Sequence, residues 1–394
     1  MNMIHRYLEN SVAADLKDKM VFISGPRQVG KTTLARIIGE HIFSGKYDYL
    51  NWDNRQDRRS LLDGVFKADA DLVIFDEIHK YKSWKNYIKG EFDKYKDRFK
   101  FIVTGSARLD IYRRGGESLL GRYHAYRLHP LSLRELLAAP LQVEPFHELI
   151  FGENNKEHQK LFAGLFKFGG FPELFSKQNE KTLRRWHNER VDRLIKEDIR
   201  DIEQLRDISA LQVLVELIPG KVGSLFSVNS LREDLGVTHR TVSLWVDVLE
   251  KFYYHYRIYP FQSNLIKSLR KEPKVYLWDW SEIKDESIRL ENFIASHLLK
   301  FCDYLFDVEG FKAKLYYLRD NEQREVDFLV AIDNKPWFCV EVKKTYKDIP
   351  ASLKYFQGKL KIPYVYQVVA DDPVDFIKDK VRVMSAGKFV SGLV

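Results

Sequence analysis

The stretch Gly25-Pro-Arg-Gln-Val-Gly-Lys-Thr32 follows the pattern G-x-x-x-x-G-K-T and lies between two apolar segments. Met20-Val-Phe-Ile-Ser24 before it reads as a strand, and Thr33-Leu-Ala-Arg-Ile-Ile38 after it reads as a helix. A strand, a loop and a helix in this order form the context that a phosphate-binding loop needs, which a glycine-rich surface turn does not require. Glycines let successive N–H groups face one anion, and the helix N-terminus adds its positive dipole end. The stretch predicts nucleotide binding.

The residues of this loop have separate predicted roles. Lys31 is expected to reach the β- and γ-phosphates of ATP, and the Thr32 hydroxyl is expected to bind Mg²⁺. The other candidates for contact with the nucleotide lie on the loop and at the start of the helix; they are Gly25, Pro26, Arg27, Gln28, Val29, Gly30 and Thr33. ATP and Mg²⁺ are therefore the predicted cofactors.

A second apolar stretch, Asp71-Leu-Val-Ile-Phe-Asp-Glu77, reads as a buried strand that ends in two acids. We expect Asp76 to bind the Mg²⁺ and Glu77 to polarise the attacking water, which is the positioning that phosphoryl transfer demands. Two acids at the end of an apolar strand are common in other proteins, and it is the preceding loop that favours the catalytic interpretation. The pair predicts ATP hydrolysis as well as binding.

The next predicted strand, Phe99-Lys-Phe-Ile-Val-Thr-Gly-Ser106, supplies candidates for two further roles. Its end falls beside the acidic pair in a parallel sheet, where the hydroxyl of Ser106 or Thr104 could sense the γ-phosphate; turn residues would look the same. Arg122 or Arg108 is the candidate arginine finger, which would act across a subunit boundary in an oligomer. An ordinary salt bridge is the alternative for any one of these arginines.

The composition indicates two or three domains and a polyanionic partner. The chain has 394 residues, of which 45% are hydrophobic, and its net charge is +8. Many enzymes share so modest a positive excess. Cys302 and Cys339 lack the spacing of metal ligands, which indicates buried thiols in a reducing compartment. Residues 1–6 lack a signal-peptide pattern and no apolar run reaches membrane-spanning length, so we expect a cytoplasmic protein with no membrane partner.

Residues 230–252 have the pattern of a helix–turn–helix, with Gly236 at the turn. His239, Arg240 and Ser243 would face outward at the start of the second helix, where base edges of DNA are read. The following run, 253–259, would form a wing. Positively charged residues cluster nearby; they are Lys251, Arg257, Lys267, Arg270, Lys271 and Lys274. The alternative is a winged helix that serves only as a lid or a protein contact.

Acidic residues also recur in the C-terminal part of the chain, where a helix precedes several strands. Glu291 lies on the predicted helix, and Asp327, Glu341 and Lys343 lie on neighbouring strands. Because a strand alternates its faces, Glu341 and Lys343 point the same way. Two carboxylates can share a Mg²⁺ that polarises a phosphodiester, while a lysine positions hydroxide. Surface charges on alternating strands would give a similar pattern.

On these motifs, together with Gly169-Gly-Phe-Pro-Glu173 and Glu325-Val-Asp327, nearly the whole chain resembles a large prokaryotic family of AAA+ (STAND-like) P-loop ATPases. The C-terminal domain of that family is related to PD-(D/E)XK nucleases. The resemblance implies an α/β fold with four parts: a RecA-like core with a parallel sheet, a helical lid with connecting helices, a winged helix, and a restriction-endonuclease-like αβββαβ domain. These parts would cover residues 1–140, 141–204, 205–271 and 272–394.

The resemblance also implies roles for particular residues. Lys31 and Thr32 would bind the nucleotide, and Asp76 and Glu77 would serve hydrolysis. The implied metal site in the C-terminal domain consists of Glu291, Asp327, Glu341 and Lys343.

Taken together, the sequence predicts an ATP-hydrolysing protein that binds duplex or branched DNA through a winged helix and a nuclease-like module. Whether that module cleaves or remodels DNA stays open. The main alternative is an ATP-dependent signalling or scaffold switch that binds a protein partner and has an inactive nuclease fold. A third hypothesis is a chaperone-like remodeller. DNA binding with a steep salt dependence would favour the first hypothesis.

Overall fold

The computed structural model describes residues 4–105, 119, 121–153, 155–195, 207–262, 268–269, 271–371 and 373–394. The chain divides into two compact units, Met1–Pro130 and Leu131–Val394. None of the helices in the described ranges combines the length and the apolar character that are needed to cross a membrane.

The first unit is built on parallel strands. They are β1 (Met20–Ser24), β2 (Tyr47–Asn51), β3 (Leu72–Asp76), β4 (Lys100–Thr104) and β5 (Tyr123–Arg127). They form a five-stranded sheet in the order β2-β3-β4-β1-β5, and each neighbouring pair is parallel. Every residue of β1 and β3 is buried, as expected for central strands that are covered on both faces. The predicted α/β domain with a parallel sheet is confirmed.

Helix α1 (Glu9–Asp15) precedes the first strand. The helices between the later strands are α2 (Lys31–His41), α3 (Arg55–Asp63) and α4 (Trp84–Tyr95). The bounds of α3 follow from local chemistry, because the Asn54 side chain accepts hydrogen bonds from two N–H groups of its first turn and Gly64 ends it at φ +64°. Aromatic side chains fill the space between α4 and the sheet, where Trp84, Phe75 and Phe101 are buried. This packing supports the sheet whose carboxyl edge carries the residues that are predicted to bind the nucleotide.

The second unit, which begins at Leu131, is built on one large mixed sheet. Its strands are β6 (His255–Pro260), β7 (Lys274–Leu277), β8 (Ala313–Arg319), β9 (Glu325–Ile332), β10 (Lys335–Lys343), β11 (Tyr364–Val369), β12 (Asp375–Lys378) and β13 (Val381–Ser385). In the part of the chain that is described they form eight strands in the order β12-β13-β11-β10-β9-β8-β6-β7. Strands β8, β9 and β10 are antiparallel, whereas β10 and β11 are parallel.

The helices of the second unit are mostly short. They are α5 (Leu133–Leu136), α6 (Lys156–Phe168), α7 (Pro172–Lys177), α8 (Glu180–Arg193), α9 (Ile208–Leu217), α10 (Val228–Leu235), α11 (His239–Lys251), α12 (Glu286–Asp307), α13 (Ala351–Leu360) and α14 (Ala386–Ser391). From α12 to β11 the order of elements is α-β-β-β-α-β. This is the order that the family resemblance implies for the C-terminal part.

The run that was predicted to form a wing is strand β6, and its surroundings differ from that prediction. It pairs antiparallel with β7, and at Tyr259 and Pro260 it pairs in parallel with β8. Four of its six residues are buried. The run is therefore an interior strand of the eight-stranded sheet rather than a projecting wing, because its edges are used for pairing within the second unit.

Candidate functional site

The glycine-rich loop leaves the carboxyl end of β1 and leads directly into α2. Its backbone is left-handed at Gly25 (φ +147°), Gln28 (φ +60°) and Gly30 (φ +102°). A Cβ atom on Gly25 would lie 2.3 Å from the carbonyl oxygen of Leu128. Glycine is therefore required at position 25 by the close approach of the neighbouring chain as well as by its φ angle.

The Lys31 side chain is buried and turns back into this loop. Its Nζ donates hydrogen bonds to the carbonyl oxygens of Gly25 (2.9 Å) and Pro26 (2.7 Å). The ammonium group is thus held inside the loop that the sequence predicts to bind phosphates. Arg27 is half-buried on the same loop, whereas Gln28 is exposed, as is Thr33 on the first turn of α2.

A buried arginine that the sequence did not single out supports the loop from the other side. Arg6 Nη1 donates to the Val29 carbonyl (2.8 Å), and its Nη2 donates to the His129 carbonyl (2.5 Å). The side chain therefore ties the loop to the segment that follows β5. No local sequence pattern around Arg6 indicates this role, because both acceptors are backbone groups from distant parts of the chain.

Three hydroxyl groups converge on the carboxylate of Asp76 at the end of β3. Oδ2 accepts hydrogen bonds from Thr32 Oγ1 (2.9 Å) and from the Tyr49 hydroxyl (2.6 Å), and Oδ1 accepts one from Thr104 Oγ1 (2.6 Å). Strand register explains the convergence, since Asp76 lies opposite Thr104 on β4 and Asn51 on β2. The structure therefore brings Thr32 and Asp76 together, as predicted. It also brings Thr104, one of the two candidates for sensing the γ-phosphate, to the same carboxylate. The other candidate, Ser106, lies outside the described residues.

Tyr49 is a member of this site that the sequence analysis missed. It lies on β2, and the Arg36 guanidinium sits 3.9 Å from the centroid of its ring. Burial and the hydrogen bond to Asp76 raise the pKa of Tyr49 to about 12, so the hydroxyl keeps its proton and acts as a donor. No local sequence signal indicates this role, because it depends on the pairing of β2 with β3, whose carboxyl ends meet at one edge of the sheet.

Glu77 follows Asp76 directly and has an unusual backbone. Its φ is +56°, a conformation that non-glycine residues adopt rarely and that occurs often at functional sites. Its Oε2 lies 3.5 Å from His79 Nε2 and 3.6 Å from Lys80 Nζ. Burial raises the pKa of the Glu77 carboxyl, although the charges of Lys80 and Lys31 partly oppose the shift. A carboxylate with a raised pKa is a better acceptor for a proton of water.

The donor atoms around Asp76 fit a magnesium ion that also binds a nucleotide. Mg²⁺ in such sites takes one or two protein oxygens together with phosphate oxygens and water. The Thr32 hydroxyl and the Asp76 carboxylate, 2.9 Å apart, can supply those protein oxygens. Within the described residues no group of three or more His, Cys, Asp or Glu side chains is arranged to hold a metal, and a site of this kind does not need one.

Of the two arginine-finger candidates, the structure describes only Arg122, and it is not placed beside this site. Arg122 lies just before β5, and its carbonyl accepts a hydrogen bond from the N–H of Met20 at the amino end of β1. Its guanidinium donates to both carboxylate oxygens of Asp93, at 2.8 and 3.1 Å. The loop leaves the opposite, carboxyl end of β1, so the salt-bridge alternative describes Arg122 within its own chain. Arg108 lies outside the described residues.

A second cluster of charged side chains lies in the second unit, where β9 and β10 run side by side. Asp327 Oδ2 accepts from the N–H of Val342 (2.9 Å), and Glu341 Oε2 accepts from the N–H of Asp327 (3.4 Å). Lys343 Nζ lies 2.6 Å from Glu341 Oε1, so the two side chains share one face of β10. Burial, together with the Asp327 charge, raises the pKa of both Glu341 and Glu291 to about 7.

Lys274 belongs to this cluster, which differs from the prediction that the sequence supports. The sequence groups Lys274 with the basic residues near the helix–turn–helix, but its side chain is only 3% exposed and lies among acids. Its Nζ is 2.6 Å from Glu325 Oε1 and 3.5 Å from both Glu291 Oε1 and Asp327 Oδ1. Within the described residues no group of three or more His, Cys, Asp or Glu side chains is arranged to hold a metal, and this includes the predicted ligands Glu291, Asp327 and Glu341. The Lys274 ammonium lies 3.5 Å from both Glu291 and Asp327.

The helix–turn–helix is formed by α10 and α11. Gly236 ends α10 at φ +65°, and the Thr238 side chain accepts a hydrogen bond from the N–H of Thr241 at the start of α11. His239 and Arg240 are exposed on the first turn of α11, and Ser243 is half-buried on the second.

The other predicted basic residues contribute less than expected to a positive surface. Arg257 pairs with Asp247 and Glu250 through hydrogen bonds, and Lys274 belongs to the acidic cluster. Lys251 and Lys271 are exposed. Lys267 and Arg270 lie outside the described residues.

Comparison with known proteins gives the class of the first unit. Residues 17–137 match a family model described as "AAA domain". Residues 159–281 and 289–389 match two models described as domains of unknown function, DUF8612 and DUF4143. The AAA match, the five-stranded parallel sheet and the loop at the end of β1 support an AAA+ P-loop ATPase core with a RecA-like sheet.

Similar proteins are known from bacteria and archaea. An uncharacterized protein of Mycobacterium tuberculosis is 23% identical over 338 residues, which cover 83% of this chain and 70% of the relative. An uncharacterized protein of Methanocaldococcus jannaschii is 24% identical over 400 residues, covering 89% of this chain and 80% of the relative. Among solved structures, AMPPCP-bound DnaA from Aquifex aeolicus matches with a TM-score of 0.32 and 13% identity, covering 62% of this chain and 86% of that chain.

Proposed function

We propose that this protein hydrolyses ATP with Mg²⁺ as its cofactor. The observation that carries the proposal is the convergence of three hydroxyl groups on Asp76, directly beside Glu77. Lys31 lies within the adjacent loop, and its charge is close enough to act on the pKa of Glu77. A carboxylate that is oriented by donors, a second carboxylate and a buried ammonium are the groups that phosphoryl transfer uses.

Each side chain has a part in the proposed reaction. Mg²⁺, when bound, would neutralise charge on the β- and γ-phosphates. Lys31 would exchange its loop carbonyls for phosphate oxygens, which carry a full negative charge and make stronger hydrogen bonds. Glu77 would orient the attacking water and accept its proton, while Thr104 and Tyr49 would hold the Asp76 carboxylate in one orientation.

Replacement of the loop lysine tests this proposal. Lys31→Ala should abolish ATP binding or lower turnover by at least about 100-fold, because a preorganised charge at the phosphates would be lost. The measurement is phosphate release under saturating Mg²⁺, together with nucleotide binding by calorimetry. Lys82→Ala, at an exposed position of the same unit, serves as the matched control and should behave as the wild type. Unchanged hydrolysis in Lys31→Ala would refute the assignment of the loop.

We further propose that the protein binds duplex or branched DNA through the first turn of α11. The exposure of His239 and Arg240 on that turn supports the proposal, as does the net charge of +8. Ser243, one turn further along, would complete the contact. The second unit would then bind DNA. Its position on the DNA would change with the nucleotide state of the first unit. A steep fall of DNA affinity with salt is the expected result.

A signalling or scaffold switch that binds a protein partner is the second candidate function. The position of Lys274 favours this second function, because an acidic cluster that already contains a cation fits an inactive nuclease fold. Duplex, single-stranded and branched DNA should each be tested at low salt. Absence of binding to all three would favour the protein switch over the DNA-binding function.

A further inference from the structure

Lys274 is a buried cation within a group of acids. The backbone of this residue lies on β7, opposite Ile258 of β6, and its side chain is 3% exposed. Moving an ammonium group out of water costs several kcal/mol unless carboxylates compensate for the lost hydration. Three carboxylates do so here, with Glu325 at 2.6 Å and both Glu291 and Asp327 at 3.5 Å from Nζ.

Each of the three predicted metal ligands already has an oxygen in contact with another group of the chain. Glu291 Oε1 accepts a hydrogen bond from the Tyr276 hydroxyl (2.8 Å), and Asp327 Oδ2 accepts from the N–H of Val342 (2.9 Å). Glu341 Oε1 lies 2.6 Å from Lys343 Nζ. The chain itself therefore supplies two ammonium groups and several hydrogen-bond donors to the carboxylates of this cluster.

A metal ion and the Lys274 ammonium would compete for the same place. Mg²⁺ requires oxygen ligands at about 2.1 Å in octahedral geometry, so carboxylates must turn toward it and away from other cations. Two cations about 4 Å apart repel strongly in a poorly solvated site. The ammonium has little room to withdraw, since β7 pairs with β6 along its length and the Tyr317 ring centroid lies 5.8 Å from Nζ.

We infer that Lys274 is the resident cation of this cluster and excludes divalent metal ions from it. The second unit then keeps the α-β-β-β-α-β order of elements without the metal-dependent cleavage of phosphodiesters that its acids suggest. The inference does not rest on ATP hydrolysis by the first unit, because it concerns contacts that lie entirely within the second unit.

Binding of Mn²⁺ to the full-length chain without nucleotide tests the inference, with free Mn²⁺ counted by electron paramagnetic resonance. All proteins should carry Asp76→Asn, so that the nucleotide site contributes no metal. The chain that retains Lys274 should bind no Mn²⁺ at this cluster at millimolar concentration. Lys274→Met, which keeps the length of the side chain but removes its charge, should gain one Mn²⁺. Adding Asp327→Asn to Lys274→Met should abolish the binding of that Mn²⁺ ion.

Lys314→Met, at an exposed position on β8, is the matched control and should gain no metal. Two results would overturn the inference. One is Mn²⁺ binding by the chain with Lys274 intact that Asp327→Asn removes, a comparison that holds even if Lys274→Met fails to fold. The other is a folded Lys274→Met protein, judged by its circular dichroism, that binds no Mn²⁺.

Discussion

The carboxylate of Asp76 accepts hydrogen bonds from residues that lie far apart in the sequence of the first unit. Thr32 follows the loop, Tyr49 lies on β2 and Thr104 ends β4, yet all three hydroxyls donate to its carboxylate. In the proposed reaction Thr32 and Asp76 bind the metal directly, while Tyr49 and Thr104 act through Asp76 by fixing its orientation. Groups of this second kind commonly change metal affinity or activity by 10–100-fold when they are removed.

Tyr49→Phe tests the orienting role of the tyrosine hydroxyl. The change removes one donor to Asp76 Oδ2 and leaves the ring that stacks with Arg36. We expect the Mg²⁺ concentration for half-maximal ATP turnover to rise about tenfold, with a much smaller change in the KM for ATP. A titration of turnover with Mg²⁺ at saturating ATP measures this. If the Mg²⁺ requirement equals that of the wild type, Tyr49 has only a packing role.

Residues of the site could be predicted from the sequence where a contiguous motif carries the chemistry. Lys31 and Thr32 belong to one contiguous motif and Asp76 ends an apolar strand, so their pattern is local. Tyr49 and Arg6 could not be predicted in this way, because their partners are far along the chain. Their roles depend on strand order and on backbone carbonyls, neither of which leaves a mark in the local composition.

At the scale of elements, β6 shows what periodicity can and cannot predict. Its alternating apolar residues predict a strand, but they do not identify the partner strand. The structure pairs β6 with β7 and β8, and Tyr316 of β8 lies far along the chain from Tyr259. A wing needs a free edge, and the sequence contains no signal for whether that edge is taken. For the same reason Lys274 on β7 was assigned to a basic surface.

His255 at the start of β6 is expected to make the stability of the folded chain depend on pH. The ring is fully buried, and Nε2 donates to the carbonyl of Val246 on α11 (3.1 Å). Burial lowers the pKa of His255 to about 4, against about 6.5 in the unfolded chain. Between these values only the unfolded state takes up the proton, so the contribution to stability is complete above pH 6.5 and is lost as pH falls toward 4.

Urea unfolding, followed by tryptophan fluorescence at pH 7 and pH 5, measures this contribution. The wild type should lose about 2 kcal/mol more than His255→Gln between the two pH values, because glutamine keeps a donor but does not titrate. The neighbouring Glu250 and Asp247 are present in both proteins, so their titration cancels in the difference. Equal losses in the two proteins would show that His255 is not held in its neutral form.

At the scale of the whole molecule, the net charge of +8 and the exposed first turn of α11 are the basis for the proposed binding of DNA. Arg240→Ala should weaken binding to duplex DNA and lower the slope of log affinity against log salt by about 1, since one phosphate contact would be lost. Fluorescence anisotropy at several salt concentrations measures the slope. Arg184→Ala removes the same charge from an exposed position on α8 and should leave the slope unchanged. Equal slopes for Arg240→Ala and the wild type would contradict the predicted contact.

The most direct test of the central claim is ATP turnover by Glu77→Gln measured beside nucleotide binding by the same protein. Glutamine keeps the size of the side chain but cannot accept the proton of the attacking water. We expect Glu77→Gln to bind ATP with Mg²⁺ as the wild type does and its turnover to fall by at least about 100-fold. Hydrolysis at the wild-type rate in Glu77→Gln would contradict the proposal that this site hydrolyses ATP.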